Sequence, residues 1–418
     1  MTLPADSSLD ATLSLLREGY AFIPNRCRRL GVDAFRTRLM LTPAVCAQGE
    51  DAARMFYHPG RFTRRNAMPS SALRLVQDRG SVMTLDGGAH ARRKRMFMEL
   101  MAPASMERFG DALERAWRAA LPRWERAGRV VLHDAVSEVL CRAVCDWAGL
   151  PPLTDAEAAQ RTREMRAMVD NAGTVGPPNW AASLLRWRTE QWLRQAVRRI
   201  RDGGLAVPEG SPASIVAHHR DGAGRLLHPV YAAVELLNLL RPTVAAARYV
   251  VSAALQLHRE LGLRADVLAD AEARERFVQE VRRLTPFIPC MGGKALEPFE
   301  WRGHRFRRGD WVLFDLYGTN RDPRLWRDPD RFDPDRFRGR APGEFDLVPQ
   351  GGGGHMTGHR CPGEAVVLAV LHRSLLLLAG AMRYAVAPGQ DLTVDLSRIP
   401  ALPRSGFVIE AVRAAPAG

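Results

Sequence analysis

Lysine is nearly missing from this chain. Of its 60 basic residues only Lys94 and Lys294 are lysines, and against 46 acidic residues the arginines leave a formal charge of +14. Arginine offers a planar fork that suits carboxylates, propionates and phosphates, so the excess is as compatible with buried ion pairs as with nucleic acid. The basic run Arg92 to Arg95 comes without a recognition motif, and the aromatics do not interleave with basic residues. No nucleic-acid partner is therefore expected. Cysteine is sparse as well: six in 418 residues, with no paired CxxC spacing, exclude a disulfide framework and a four-thiolate zinc site. Cys141 and Cys145 share one helical face and read as core cysteines. The opening MTLPADSSLD lacks the basic start and apolar run of a secretory signal, and the apolar stretch Ala365 to Ala381 is interrupted by His372 and Arg373. The expectation is a cytoplasmic protein without integral membrane association.

What is present is a composition, 46% apolar and 25% charged, that supports a sizeable core, together with helical periodicity through the first two thirds. Met106 to Trp124 repeats apolar residues at three- and four-residue spacing. After Asp134, a stripe of Val136, Leu140, Val144 and Trp147 stops at Gly149 and Pro151, and Asp155 is expected to cap a helix running toward Met168. A helix rich in Arg and Trp follows over Trp180 to Arg199, and Gly203 to Ser214 reads as a polar connection. Pro229 to Leu257 is apolar nearly all round, as in a helix crossing a protein interior. Beyond Pro286 the pattern turns to short strands, within Phe306 to Phe314 and again from Tyr384 to Val412, with an apolar helix from Cys361 through Leu378 between them. No repeated strand-helix unit supports a doubly wound sheet. The fold class is mainly α with a small β part, a single domain over 1–418 with a helix-rich lobe and a smaller β-containing sub-lobe.

Three features carry chemistry. Cys361 follows the glycine run Gly351 to Gly354 and stands at the mouth of a helix, where backbone N–H groups favour a thiolate. From spacing alone it is a nucleophile, a metal or haem-iron ligand, or a structural cysteine. Glu280 and Arg283 are nearly one helical turn apart and form an ion pair or two residues of a solvated face; Arg336 joins them only if its loop folds back. Arg241-Pro242 interrupts the most apolar helix. The proline removes a hydrogen bond, and the guanidinium beside it needs an anionic partner, either a protein carboxylate or a ligand.

In order and separation, Glu280-Val281-Arg282-Arg283, Pro334-Asp335-Arg336-Phe337 and Gly358 to Glu364 (GHRCPGE) resemble the cytochrome P450 superfamily over essentially the whole chain, and most closely its bacterial fatty-acid peroxygenases. The resemblance implies the cytochrome P450 fold, haem b as cofactor and Cys361 as its axial ligand, with Glu280, Arg283 and Arg336 as a structural ion-pair network. Two departures mark the subgroup. Gly354 stands where ordinary members carry phenylalanine seven residues before the cysteine, and Arg241-Pro242 replaces the acid-threonine pair that handles protons in oxygen-activating members. Leu85 to Lys94 and Met168 to Asp170 are also similar to the peroxygenase group.

The resemblance implies hydrogen peroxide as oxidant, a fatty-acid substrate whose carboxylate is held by Arg241, oxidation at Cα or Cβ, and no obligate redox partner. Arg241 remains protonated and is a poor acid-base group, so the substrate carboxylate takes that part. Thr243 lies two residues on, facing elsewhere, and is expected to bond its own backbone. His90, Lys94 and His359 are the implied propionate partners. Met83, Val169 and Cys290 are implied substrate-pocket residues; at Met83 the related enzymes commonly place glutamine or histidine, so product choice stays open, with hydroxylation expected ahead of decarboxylation to a terminal alkene. The alternatives are a predominantly alkene-forming decarboxylase, a conventional P450 served by an electron-transfer partner, and a cysteine hydrolase. The last lacks an oriented histidine and acid around Cys361.

Overall fold

The computed structural model describes residues 3–76 and 80–415. Helices form where an apolar stripe finds a partner. Pro103–Ala127 starts with proline in its first turn and buries Met106, Phe109, Leu113, Trp117 and Trp124 along one face. Leu132–Ala148 buries Val136, Leu140, Val144 and Trp147 against it and ends at Gly149, whose φ of 79° serves the left-handed cap. A side chain there would also come within 2.7 Å of Ser211. The next helix, Asp155–Asp170, is capped one residue earlier than the sequence suggests: Thr154 and Glu157 form a reciprocal capping box, and Asp155 is the first helical residue. Pro177–Arg201 follows, then a short helix Pro212–His218 capped by Ser211 at the end of what reads as a polar connection.

The long apolar segment is two helices, Pro229–Ala245 and Ala247–Arg259, rather than one. Pro242 has no N–H to give the Asn238 carbonyl, and at Ala246 the N–H is shared between the carbonyls of Pro242 and Thr243. Together with Ala271–Leu284 and Glu364–Leu376 these helices enclose the main core. Pro229–Arg259 and Glu364–Ala381 are long and apolar enough to cross a membrane, but 78% and 50% of their most apolar stretches are buried inside the protein.

The first third is less helical than its periodicity suggests. Ala34–Leu39 and Thr42–Ala47 pair antiparallel and begin a five-stranded sheet completed, in spatial order, by Trp311–Asp315, Cys290–Ala295 and Phe62–Thr63. In the first strand Phe35, Thr37 and Leu39 are buried while Arg36 and Arg38 are exposed, a period of two. The hairpin turns at Met40 and Leu41, both left-handed (φ 50° and 59°), with neither glycine nor asparagine to announce it. Thr12 and Asp10 instead accept hydrogen bonds from the two turn N–H groups, each at 2.6 Å. A second, three-stranded sheet joins Arg129–Val131, Val408–Ala414 and Met382–Val386. The five-stranded sheet has its own two smaller cores, one around Phe56 and Phe314 and one around Phe22 and Cys46.

Candidate active site

The cysteine loop is shaped by glycine. A Cβ at Gly352 would meet the Glu344 carbonyl at 2.8 Å, and one at Gly358 the Gly354 carbonyl at 2.8 Å. Tyr57 lies against the same run, within 3.0 Å and 3.1 Å of where Cβ atoms of Gly351 and Gly353 would stand. The loop delivers Cys361 to a fixed place: its N–H donates to the Gln350 carbonyl (3.0 Å), and His355 Nε2 lies 3.2 Å from its carbonyl oxygen. Burial pushes the Cys361 thiol up, opposed by Lys94 and the Gly363 N–H. Desolvation thus outweighs the helix mouth, and a metal that takes the sulfur as thiolate is what would hold it deprotonated.

Two ion-pair networks stand on the helix Ala271–Leu284: one holds the segment 320–336 and the other the cysteine loop. Glu280 and Arg283, both fully buried, meet fork to fork at 2.7 Å and 2.8 Å, and Arg336 reaches Glu280 at 3.0 Å, so its loop does fold back. Arg283 also donates to the carbonyls of Asn320 and Pro329. Beside it Arg282 joins Glu364 (2.5 Å) and Gln350 (2.7 Å), while Arg360 grips Glu364 twice, at 2.7 Å and 2.8 Å. Burial alone would raise the Glu364 carboxyl; the two arginines bring it down to about 2. Arg282, Gln350 and Glu364 were not expected as a network. Arg282 and Glu364 have a signal in their spacing to residues already singled out, one position from Arg283 and three from Cys361; Gln350 has none.

Four basic groups gather next to this loop. His90 and His359 are ring to ring, with centroids 4.1 Å apart, Lys94 donates to the Arg360 carbonyl, and Arg64 is close enough to lower the His359 pKa. Burial drives His359 far below the usual imidazole range and Lys94 down to about 8. Arg64, which nothing in the sequence picked out, is buried, donates to the Gly292 carbonyl (3.1 Å), and has its Nε without a partner. Among the described residues none of the four has a carboxylate partner. Two buried cations, Arg64 and Lys94, beside two imidazoles that burial keeps neutral offer charge and hydrogen bonds that suit the two propionates of a haem whose iron is held by Cys361.

Across from the cysteine loop is the Arg241 helix, whose continuation brings Tyr249 close enough to Cys361 to feel its charge. Between Ala232 and Val250 only Asn238 and Pro242 are not buried. They lie four residues apart, on one face. Arg241 is 3% exposed and donates to the carbonyls of Leu75 and Val76, both at 2.9 Å, and to Asn238 Oδ1 at 3.0 Å. Leu75 and Val76 are the last described residues of the helix Ser70–Val76. The guanidinium makes no ion pair among the described residues. Burial and the charge of Arg186 lower its pKa to about 9, with Glu190 opposing. Asn238 donates to Glu235 (3.0 Å), which also binds Arg93 and the Val82 N–H, and this buried chain orients the Arg241 fork. The Thr243 hydroxyl donates to the Leu239 carbonyl at 2.7 Å, as expected of a helix-interior threonine.

The remaining pocket expectations separate. Met83 is half-buried against the main core in the turn Val82–Thr84, and Val169 is buried next to the ion pair of Asp170 with Arg248. Cys290 packs with Cys27, Phe35, Cys46 and Trp311 in a core of the five-stranded sheet, its thiol raised to about 12 by burial. Its described neighbours are core residues.

The cytochrome P450 family model matches residues 256–378, the span holding the Glu280 and Cys361 elements. Three solved structures align over nearly the whole chain. Cytochrome P450SP alpha (CYP152B1), solved with (R)-ibuprophen, is 45% identical and covers 97% of this chain and 99% of its own (TM-score 0.94). Cytochrome P450EX alpha (CYP152N1), solved with myristic acid, is 38% identical over 99% and 100% (TM-score 0.95). A variant of cytochrome P450 OleT, solved with arachidonic acid, is 31% identical and covers both chains fully (TM-score 0.96). The geometry around Cys361 and the extent of these matches lead to one conclusion: the chain belongs to the cytochrome P450 superfamily, in its CYP152 type of bacterial fatty-acid peroxygenases and decarboxylases.

Proposed function

We propose that this protein is a haem-thiolate peroxygenase that uses hydrogen peroxide to oxidise fatty acids at Cα or Cβ, giving hydroxy acids with a smaller yield of terminal alkene. The observation that carries the reading is the Arg241 guanidinium, buried, tied only to amide and carbonyl oxygens, and without a carboxylate among the described residues. A fatty-acid carboxylate supplies the missing anion in a bidentate pair. When bound, the haem supplies cleavage of the peroxide O–O bond and the oxidising equivalent that attacks C–H, and a thiolate ligand favours that cleavage. Cys361 is the proposed ligand, with Arg64, His90, Lys94 and His359 on the propionates.

The chain's own residues then account for the rest. Arg241, with a pKa of about 9, stays charged near neutral pH and cannot accept a proton, and the Thr243 hydroxyl is committed to its own helix. The carboxylate held by Arg241 is therefore the group that moves a proton between the peroxide oxygens, and an acid is required for turnover. Holding the acid head fixes which carbons face the oxidant, the first two of the chain. Pro242 beside Arg241 has no N–H to give the Asn238 carbonyl, which breaks the helix ladder next to the guanidinium. Met83 has no strong donor with which to steer the product toward decarboxylation, which favours hydroxylation.

The test is turnover of a chain-length series of fatty acids by the haem-loaded protein with peroxide alone, with products identified by mass spectrometry. Hydroxylation at Cα or Cβ is expected, and Arg241→Ala should lower it by roughly a hundredfold while haem content stays unchanged. Full activity in that variant, or a strict need for an electron-transfer partner, overturns the proposal.

A further inference from the structure

The helix Pro177–Arg201 is half unpartnered. One face is anchored: Ala182, Arg186, Thr189, Leu193, Val197 and Ile200 are buried. The other exposes Trp180 (65%), Leu184 (61%) and Trp187 (56%), spaced four and three residues apart, after an exposed Val175 (68%) in the preceding loop. Two tryptophans and a leucine in one exposed stripe are an unusual load for a surface helix, and such patches mark interaction sites. Toward its C-terminus the same helix turns basic. Over its length it has six arginines against one glutamate, and Arg198 and Arg199 are exposed without a carboxylate partner among the described residues.

A second exposed apolar group lies where Leu9, Leu13 and Leu16 meet the hairpin tip of Met40 and Leu41, tied together by the Asp10 and Thr12 bonds to that tip. Both regions border one segment. Tyr20 N–H donates to the Leu396 carbonyl, and a Cβ at Gly173, just before the tryptophan helix, would touch Ile399 at 3.5 Å.

We propose that this surface docks on a lipid bilayer containing anionic lipid, with Trp180, Leu184 and Trp187 in the headgroup layer and the arginines of the same helix on the lipid phosphates. Tryptophan favours the interface because its ring is apolar and its N–H polar, and adjacent arginines add attraction to negative lipid. A second copy of the chain fits less well. A two-fold dimer would bring this patch against itself and set two strongly positive helices face to face. On its buried face the same helix places Arg186 and Glu190 near enough to act on Arg241. A docked enzyme would thus have the bilayer on one side of the helix and the proposed carboxylate anchor on the other, which lets it draw long-chain acids from the membrane; this last step rests on the fatty-acid reading.

The experiment is co-sedimentation of the haem-loaded full chain with vesicles of phosphatidylcholine alone and of phosphatidylcholine mixed with phosphatidylglycerol, comparing the wild type with the triple variant Trp180→Ser, Leu184→Ser, Trp187→Ser. The wild type should bind the mixed vesicles at least roughly tenfold more strongly than the triple variant, and more strongly than it binds phosphatidylcholine. Without vesicles the two proteins should retain equal haem and equal peroxide-driven turnover of a short water-soluble acid. Equal vesicle binding by both proteins overturns the proposal. So does a wild type that ignores vesicles and runs as a dimer which the triple variant dissolves. Vesicle binding that depends on the stripe, in a protein that oxidises no fatty acid, upholds the docking and overturns the fatty-acid reading instead.

Discussion

Arginine lines both sides of the site, and the two sides are finished differently. Around Cys361, Arg282, Arg283, Arg336 and Arg360 each meet a buried carboxylate, Glu280 or Glu364, at hydrogen-bonding distance. Around Arg241 the guanidinium is as deeply buried, yet its partners are two carbonyls and an amide. Removing a charge from water is costly wherever it happens, and a buried ion pair offsets that cost only when the geometry is good. The first region is therefore a completed structural clamp. The second holds a desolvated cation for an anion that comes and goes, and stability is given up there for binding.

The largest effect expected from that contrast is on stability. Glu280→Gln keeps the shape but leaves Arg283 buried without an anion and Arg336 with only Asp333, 4.0 Å away, at a cost of about 3–5 kcal/mol. Arg241→Met removes a cation that has no ion pair among the described residues, and its cost should be smaller by at least about 2 kcal/mol although turnover is lost. Denaturant melts of the two variants check this, and equal losses would erase the distinction between the regions. Acid titration sharpens it next. Glu364 titrates at 4.5 when unperturbed and at about 2 in the folded protein. Its contribution is complete above about pH 4.5 and is lost as pH falls toward 2, on the order of 3 kcal/mol in all. Haem loss followed by the Soret band should steepen in that window, and Glu364→Gln should flatten it.

Much of the cysteine side was legible in the sequence because its parts sit in short, spaced motifs. Glu280, Arg283 and Arg336 meet in one ion-pair network, and His90, Lys94 and His359 gather in one place. Arg64 was not legible: it stands alone in a basic chain, and only the folding of Phe62–Thr63 against Cys290–Ala295 brings it to the histidines. The hairpin Ala34–Leu39 and Thr42–Ala47 was hidden for a different reason. Arginines occupy its exposed positions, as they do on helices throughout the chain, and its turn uses Met40 and Leu41 held by distant side chains. Thr154 and Asp155 are both good caps by residue type, and only the reciprocal bond from Glu157 decides between them. On the Arg241 side, the arginine and proline were visible as a breach in an apolar helix, but Asn238 and Glu235 read as ordinary polar positions until the fold placed them in line with it.

That line gives a smaller prediction. Asn238 binds Arg241 with its oxygen and Glu235 with its amide. Asn238→Leu frees the guanidinium to turn, so KM for long-chain acids should rise about tenfold, the loss of one hydrogen bond to a charged group. The ratio of Cα to Cβ products should shift with it, because the acid head is no longer fixed; a purely structural asparagine would change stability and leave that ratio alone.

The smallest effect expected falls on Thr243, and it bears on which side supplies the proton. Its hydroxyl is bound 2.7 Å from the Leu239 carbonyl and is 3% exposed. Valine has nearly the same shape and removes only that back-bond, which stabilises a helix little. If the carboxylate on Arg241 handles the proton, Thr243→Val should keep peroxide-driven turnover within about twofold of wild type, since a twofold rate change is well under 1 kcal/mol. A loss of a hundredfold with haem retained would mean that the hydroxyl leaves its helix during turnover and acts beside the guanidinium. The proton would then come from the chain, and Arg241 would be left with binding alone.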